Sequence, residues 1–346
     1  MTDKLITTLK QVKELTVDSR RPFFSATHEE IATGATTDIY FVRTYEILRS
    51  LGQADTPVAA EIFARREGIF AGLPEVLNLL ADRPVEVWSL TEGTAFEERE
   101  VVMRLVGPYD QFGLFETTIL GILAHSSGWA TAARKAKEAA QEAAVFCFGA
   151  RHVHPAVAPV MERAAIVGGA DGASCILAAK LAGKEPVGTV PHAMFLIVGD
   201  TVEGALAYHR VMPPDAPRVI LVDTFKDEAE ETLRVAEALG RDLAGVRLDT
   251  PGERGGVTPE LVREVRARLD QAGYNHVRIF VSGGLNPERI ARLRQAGADA
   301  FGVGSYISSA PPIDMTLDLK VVRGRPFTKR GRIPGVTLNP KLQRVK

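Results

Sequence analysis

The sequence is short of several things that would fix its class at once. It has two cysteines, Cys147 and Cys175, in 346 residues. Neither belongs to a CxxC pair or a Cys/His spacing suited to zinc, so buried thiols are expected rather than a disulfide framework or a thiolate metal site. No apolar run is long enough to span a bilayer. The opening stretch, MTDKLITTLKQVKEL, lacks the apolar core of a secretion signal, which predicts a cytoplasmic protein. Charge of one sign is also missing. Lys and Arg number 42 against 43 Asp and Glu, a formal net charge of -1. Such a balance advertises neither nucleic acid nor an anionic membrane, and any basic residue must act locally. No repeat of short fixed period occurs. What remains is 45% hydrophobic and 25% charged, normal for a soluble globular protein and long enough for two domains.

The first third is irregular. TTDIYFVRTYEILRSLG has helical spacing in Tyr40, Val42, Tyr45 and Leu48 and ends on Gly52. PVEVWSL and EVVMRLVG alternate and are β-branched, which predicts an antiparallel pair. Near Tyr109 the character changes. FETTILGILAHSSGWATAARKAKEAAQEA reads as a long helical stretch of small residues, broken at Gly128. From Phe146 onward, strands alternate with amphipathic helices that end in Gly. AVFCFGAR is a strand and loop, APVMERAAIVGG a helix, GASCILAAKLAG another helix, and PVGTVPHA a short strand-like segment. Then come RVILVDT, EAEETLRVAEALG, GVRLD, TPELVREVRARLDQAG, VRIFVSGG, NPERIARLRQAG and AFGVGS. Six or seven such units predict a parallel sheet, better suited to an α/β barrel than to a short open sheet. The tail, LDLKVVRGRPFTKRG, reads as a strand and a basic loop returning to the first domain. The expected division is residues 1–115, 116–310 and a tail of 311–346.

In a parallel barrel the C-terminal strand tips form the active face. Arg247 and Asp249 lie two apart on one strand and point the same way. From spacing alone they either reach one ligand together or form an ion pair closing the barrel mouth. In VSGGLNPERI, Gly283 and Gly284 allow close backbone approach, Asn286 is an N-cap and Pro287 fits the first helical position. The following tip supplies Gly302, Gly304 and Ser305. Glycine-rich tips on the last two strands predict a phosphate cradle, with two tight βα turns that need Gly for their geometry as the plainer alternative. His192 follows PVGTVP, and Arg151 sits at another tip with His152 and His154 nearby. An Arg fork matches carboxylate or phosphate oxygens. Asp223, Asp249 and Glu253 could hold Mg²⁺ through water. Helix capping by Asp223 and a solvated surface role for Glu253 are the plainer alternatives.

TTDIY, FGAR, GGADGAS, GTVPHA, LVDTF, VRLDTPG, SGGL and GVGS, in this order over most of the chain, resemble the nicotinate phosphoribosyltransferase family and its relative that uses nicotinamide. TTDIYFVRTYEIL and FETTILGIL look like its short archaeal and bacterial branch. The resemblance implies an N-terminal α/β sandwich domain, an irregular α/β barrel, and a tail returning to the sandwich. It implies that Arg151 meets the pyridine carboxylate or a neighbouring phosphate. Tyr40 would stack on the ring from a partner subunit, supported by Asp38, in a homodimer or larger assembly. Arg247 and Asp249 would hold the pyrophosphate and ribose side, Asp223 the ribose hydroxyls or metal, and Thr189 another part of the substrate. Gly283, Gly284, Gly304 and Ser305 would bind the 5-phosphate. His192 matches a histidine phosphorylated by ATP where the reaction is ATP-coupled. With no cysteine after Cys175, the zinc that the short branch can carry is not expected. HVHPAVAPVMERAA lacks a second Arg found in some members.

The implied reaction joins nicotinate to phosphoribosyl pyrophosphate with release of pyrophosphate, a step of NAD biosynthesis, with Mg²⁺ and possible use of ATP as a co-substrate. Nicotinamide or quinolinate as the base is the alternative. Quinolinate needs further basic residues for its second carboxylate, and the Arg/Lys-rich signature for that is not found. An unrelated barrel isomerase or aldolase would need a Lys or Glu base at one of these tips. A non-catalytic nucleotide-binding homologue would have little reason to hold Arg151, His192, Asp223, Arg247 and Asp249 together.

Overall fold

The computed structural model describes residues 5–18, 20–22 and 24–346. Residues 1–4, part of the stretch read as lacking a secretion signal, lie outside them. The chain divides into two compact units. One comprises Met1–Ala130 with Pro311–Lys346, and the other Thr131–Ala310. No helix among the described residues is long and apolar enough to cross a membrane.

The first unit is built on a six-stranded antiparallel sheet. Its order is Arg325–Pro326, Met315–Val322, Pro57–Ala64, Val101–Pro108, Glu86–Ser89 and Gln343–Arg344. The segments PVEVWSL and EVVMRLVG form the expected antiparallel pair, with Val87 opposite Leu105. Tail residues 315–322 pair with Pro57–Ala64, Leu317 opposite Ile62. Ile62, Phe70, Leu80, Leu90, Met103, Leu105, Phe112 and Phe115 are fully buried and form this unit's core. One position in the central strand is polar. Glu61 is 1% exposed. Its carboxylate accepts from Arg104 Nε at 2.9 Å and from the backbone N–H and hydroxyl of Thr337 at 2.9 and 2.8 Å. Donors on every side make that burial tolerable.

The long helix runs unbroken from Glu116 to Ala140, contrary to the break expected at Gly128. Gly128 is needed for space. A Cβ there would lie 2.5 Å from the carbonyl oxygen of Pro311. The helix keeps its glycine because another backbone passes against it.

The second unit holds a six-stranded parallel sheet. Its order is Gly172–Ala173, Ala144–Cys147, Ala300–Val303, Arg278–Ser282, Leu243–Leu248 and Arg218–Leu221. Helices with proper caps return the chain between strands. Asp227, Thr258 and Asn286 each accept backbone N–H bonds at the start of Glu228–Leu239, Pro259–Gln271 and Pro287–Gln295. Val262, Val265 and Leu269 present one buried stripe, spaced as an amphipathic helix requires. The sheet curls into an incomplete, irregular α/β barrel. Two readings change. Within GASCILAAKLAG, Gly172–Ala173 is an edge strand and only Ile176–Leu181 is helical; small residues carry little period to separate the two states. PVGTVP forms no strand. It lies along that edge irregularly, with Val187 N–H donating to Ala173 O at 2.9 Å.

Burial within the first unit raises the Glu116 carboxyl from 4.5 to about 7, with Asp318 adding to the rise and Lys329 opposing it. The folded chain therefore binds this proton more tightly than the unfolded chain. Its contribution to stability is present below about 4.5 and is lost as pH rises toward 7. Glu116→Gln should raise the Tm at pH 8 relative to wild type and leave it nearly unchanged at pH 4. Equal shifts at both pH values would refute this.

Candidate active site

The parallel strands deliver their C-terminal tips to one cavity of about 360 Å³. Its lining includes Arg151, Thr189, Arg247, Asp249, Gly283, Gly284, Gly304 and Ser305. Apart from Thr189, which lies on the irregular segment beside the sheet edge, these residues lie at or just after strand tips spread across the sheet, and the structure brings them together.

The centre is a hydrogen-bonded knot. Arg247 Nε donates to Ser282 Oγ at 2.9 Å, and Ser282 Oγ donates to Asp249 Oδ1 at 2.7 Å. Arg247 Nη2 approaches Asp249 Oδ2 at 3.3 Å, and Nη1 donates to Thr189 Oγ1 at 2.8 Å. The guanidinium lies 5.4 Å above the ring of Phe148. The Arg247–Asp249 pair is an ion pair, and both side chains line the cavity. Burial pushes the Arg247 pKa down, with the charges of Asp249 and Asp223 opposing it; an arginine stays charged regardless.

The glycine tips have distinct physical reasons. Gly283 and Gly284 have φ of 90° and 58°, where side chains are disfavoured. A Cβ on Gly283 would lie 3.1 Å from Asp249 Oδ1. On Gly302 it would lie 2.6 Å from the Phe148 ring, and on Gly304 2.8 Å from His152 Cε1. Asn286 accepts from Arg289 N–H at 2.9 Å, with Pro287 next, as the cap pattern predicted.

Asp223 and His192 form a second pair beside this lining. His192 Nε2 and Asp223 Oδ2 are 3.0 Å apart, and the Asp223 side chain is 1% exposed. Burial raises the Asp223 pKa, while the His192 hydrogen bond and charge pull it back. Its other oxygen, Oδ1, is buried without a hydrogen-bond partner. Among the described residues no cluster of three or more His, Cys, Asp or Glu side chains is placed to hold a metal ion. An orphaned carboxylate oxygen with Asp249 close enough to raise its pKa does fit a magnesium ion that keeps mostly water and diphosphate ligands. Glu253 is exposed on the Gly252–Arg254 turn and does not line the cavity.

Arg151 is exposed on a short turn, Ala150–His152. Its one described hydrogen bond is weak, Nε to His152 Nε2 at 3.4 Å. His154 is exposed and accepts from Ala156 N–H at 3.1 Å. Asp38 and Tyr40 belong to the first unit, where Asp38 accepts from Thr117 Oγ1 at 2.9 Å and Tyr40 is 53% exposed. Sequence reasoning missed Ser282, Ser174 and Phe148 as lining residues. Ser282 stands directly before the glycine pair, and that adjacency was the available signal.

Two family models match the chain. The N-terminal domain of quinolinate phosphoribosyl transferase matches residues 38–127, and the C-terminal domain residues 129–318. The chain belongs to the quinolinate phosphoribosyl transferase family. The string resemblance had pointed to the nicotinate-using branch, and relatives of both names occur. A solved structure described as nicotinate-nucleotide pyrophosphorylase from Pyrococcus furiosus is 44% identical, with a TM-score of 0.87 over 91% of this chain and 82% of that one. Nicotinate phosphoribosyltransferase pncB2 of Mycobacterium tuberculosis is 34% identical over 254 residues, 70% of this chain and 53% of the relative. The chain thus spans about half the length of that relative. Its pncB1 counterpart is 29% identical over 86% of this chain and 74% of its own length.

Gly283→Ala tests the geometry of the turn. An L side chain at φ of 90° should cost about 1–2 kcal/mol. The urea midpoint should fall with the m-value unchanged. A midpoint equal to wild type would show that this turn does not depend on glycine.

Proposed function

We propose that the chain is a nicotinate phosphoribosyltransferase, joining nicotinate to phosphoribosyl pyrophosphate and releasing pyrophosphate, in NAD biosynthesis. The observation that carries this reading is the count of cations in the cavity. Among the described residues, its Arg and Lys lining consists of Arg151 and Arg247. Arg247 is already engaged by Ser282, Thr189 and Asp249. Arg151 has no carboxylate partner among the described residues, and is left for one ring carboxylate. Quinolinate brings two, and the second would be desolvated without a matching charge. The family models carry the quinolinate name, while this count, and the nicotinate names among the curated relatives, support the narrower reading.

The chemistry asks for positioning and electrostatics. Positive charge grows at the anomeric carbon as negatively charged pyrophosphate departs. The backbone N–H groups of the Gly283–Gly284 and Gly304–Ser305 tips are proposed to take the 5-phosphate. Arg247 faces the diphosphate, and Asp249 and Asp223 favour the cationic ribose. Arg151 orients the ring through its carboxylate. The pyridine nitrogen attacks with its own lone pair, so no general base is needed. Mg²⁺, held through Asp223 and Asp249, would supply further charge neutralisation on the leaving diphosphate. Tyr40 is assigned to stack on the ring bound by a second copy, in a homodimer or larger assembly.

The test is pyrophosphate release with phosphoribosyl pyrophosphate and nicotinate, nicotinamide or quinolinate in turn. Nicotinate should turn over with kcat/KM at least tenfold above the other two, the scale expected when a buried charge is unmatched. Quinolinate as the preferred base would overturn the narrower reading, and no release with any base would overturn the enzyme reading. ATP coupling is assigned to His192, whose ring is oriented by Asp223. Added ATP should stimulate the wild type, and His192→Ala should abolish that stimulation. Stimulation that survives the substitution rules the role out.

A further inference from the structure

Helix Ala158–Gly168 carries a carboxylate with no place in the chemistry above. Glu162 is fully buried. A solvated helix residue would cost nothing, but an interior carboxylate must be compensated by donors. Here they come from two separate loops. Glu162 Oε1 accepts from Ala150 N–H at 2.9 Å and Ser174 Oγ at 3.0 Å, and Oε2 accepts from Cys175 N–H at 2.6 Å. Ala150 precedes Arg151 in its turn. Ser174 and Cys175 follow the neighbouring strand, Gly172–Ala173, which pairs with Ala144–Cys147. Ala150 and Ser174 both line the cavity. The same helix closes on the turn at a second point, since a Cβ on Gly149 would lie 2.7 Å from the Met161 side chain.

We infer that Glu162 is a positioning residue for the base subsite: its carboxylate clamps the loops after two adjacent strands together and thereby fixes Arg151 for the carboxylate of the pyridine. The inference rests on the assignment of Arg151 made above. Arg151 is exposed and makes no strong bond of its own among the described residues, so its aim depends on how its backbone is held. Both oxygens of Glu162 face backbone N–H groups. An amide in its place must turn its NH₂ toward one of them, whichever way it flips, and one loop loses its anchor.

The experiment is steady-state kinetics of Glu162→Gln, Arg151→Ala and the double variant. Glu162→Gln should raise the KM for nicotinate roughly tenfold, the scale of a lost hydrogen bond to a charged group. The KM for phosphoribosyl pyrophosphate should stay within about twofold, because the knot of Arg247, Ser282 and Asp249 is untouched. The double variant should match Arg151→Ala alone. Equal rises in both KM values, or additive effects in the double variant, would show a merely structural role and overturn the inference. Arg151→Ala with an unchanged nicotinate KM would overturn the assignment of the base subsite, and this inference with it. A rise for Arg151→Ala but none for Glu162→Gln would overturn the inference alone. Should Glu162→Gln not fold, Glu162→Asp keeps the charge with a shorter reach and is read by the same split between the two KM values.

Discussion

The cavity depends on one interaction, the bridging of neighbouring strand tips by Ser282. That hydroxyl accepts from Arg247 and donates to Asp249, so a cation and an anion on the Leu243–Leu248 arm are tied to the strand beside them. Without such a tie, two opposite charges at a barrel mouth would collapse onto each other or turn to solvent. With it, each keeps a fixed direction, and the arginine still presents its charge to the cavity. The Phe148 ring lies 5.4 Å from the guanidinium and contributes a cation–π contact. Fixed charge of this kind stabilises a developing charge without reorganising when the reaction occurs.

The tight packing of this floor explains why glycine recurs for reasons that differ from tip to tip. Gly283 and Gly284 answer a backbone demand, while Gly302 answers a steric one set by Phe148. The Phe148 ring, just past the tip of the neighbouring strand, leaves no room for a methyl group on Gly302. The consequence is a cavity floor in which Gly283, Gly284, Gly302 and Gly304 place no side chain over the backbone.

Much of this was legible in the sequence where the physics is local. The two-residue spacing of Arg247 and Asp249, the cap at Asn286 and the alternation of strand and helix follow from period and capping alone. The strand at Gly172–Ala173 was not legible, because a Gly-Ala-Ser string has no apolar period to read. Gly128 was misread for a related reason. A glycine within a helix looks like a break until the neighbouring Pro311 carbonyl is seen beside it. Glu162 was invisible because a glutamate in a helix is ordinarily solvated. Its role is set by Ala150 and Cys175, and only the fold brings those to it. On the base the two signals part: the strings resemble the nicotinate-using branch, and the family models carry the quinolinate name.

The pairing of Met315–Val322 with Pro57–Ala64 has a consequence for how the chain is made. The first unit's sheet cannot be completed until the whole of Thr131–Ala310 has left the ribosome. The second unit is contiguous in sequence and can close earlier. During synthesis the strand Pro57–Ala64 must therefore wait with one edge unpaired, the state in which a growing chain is most open to chaperones and to wrong partners.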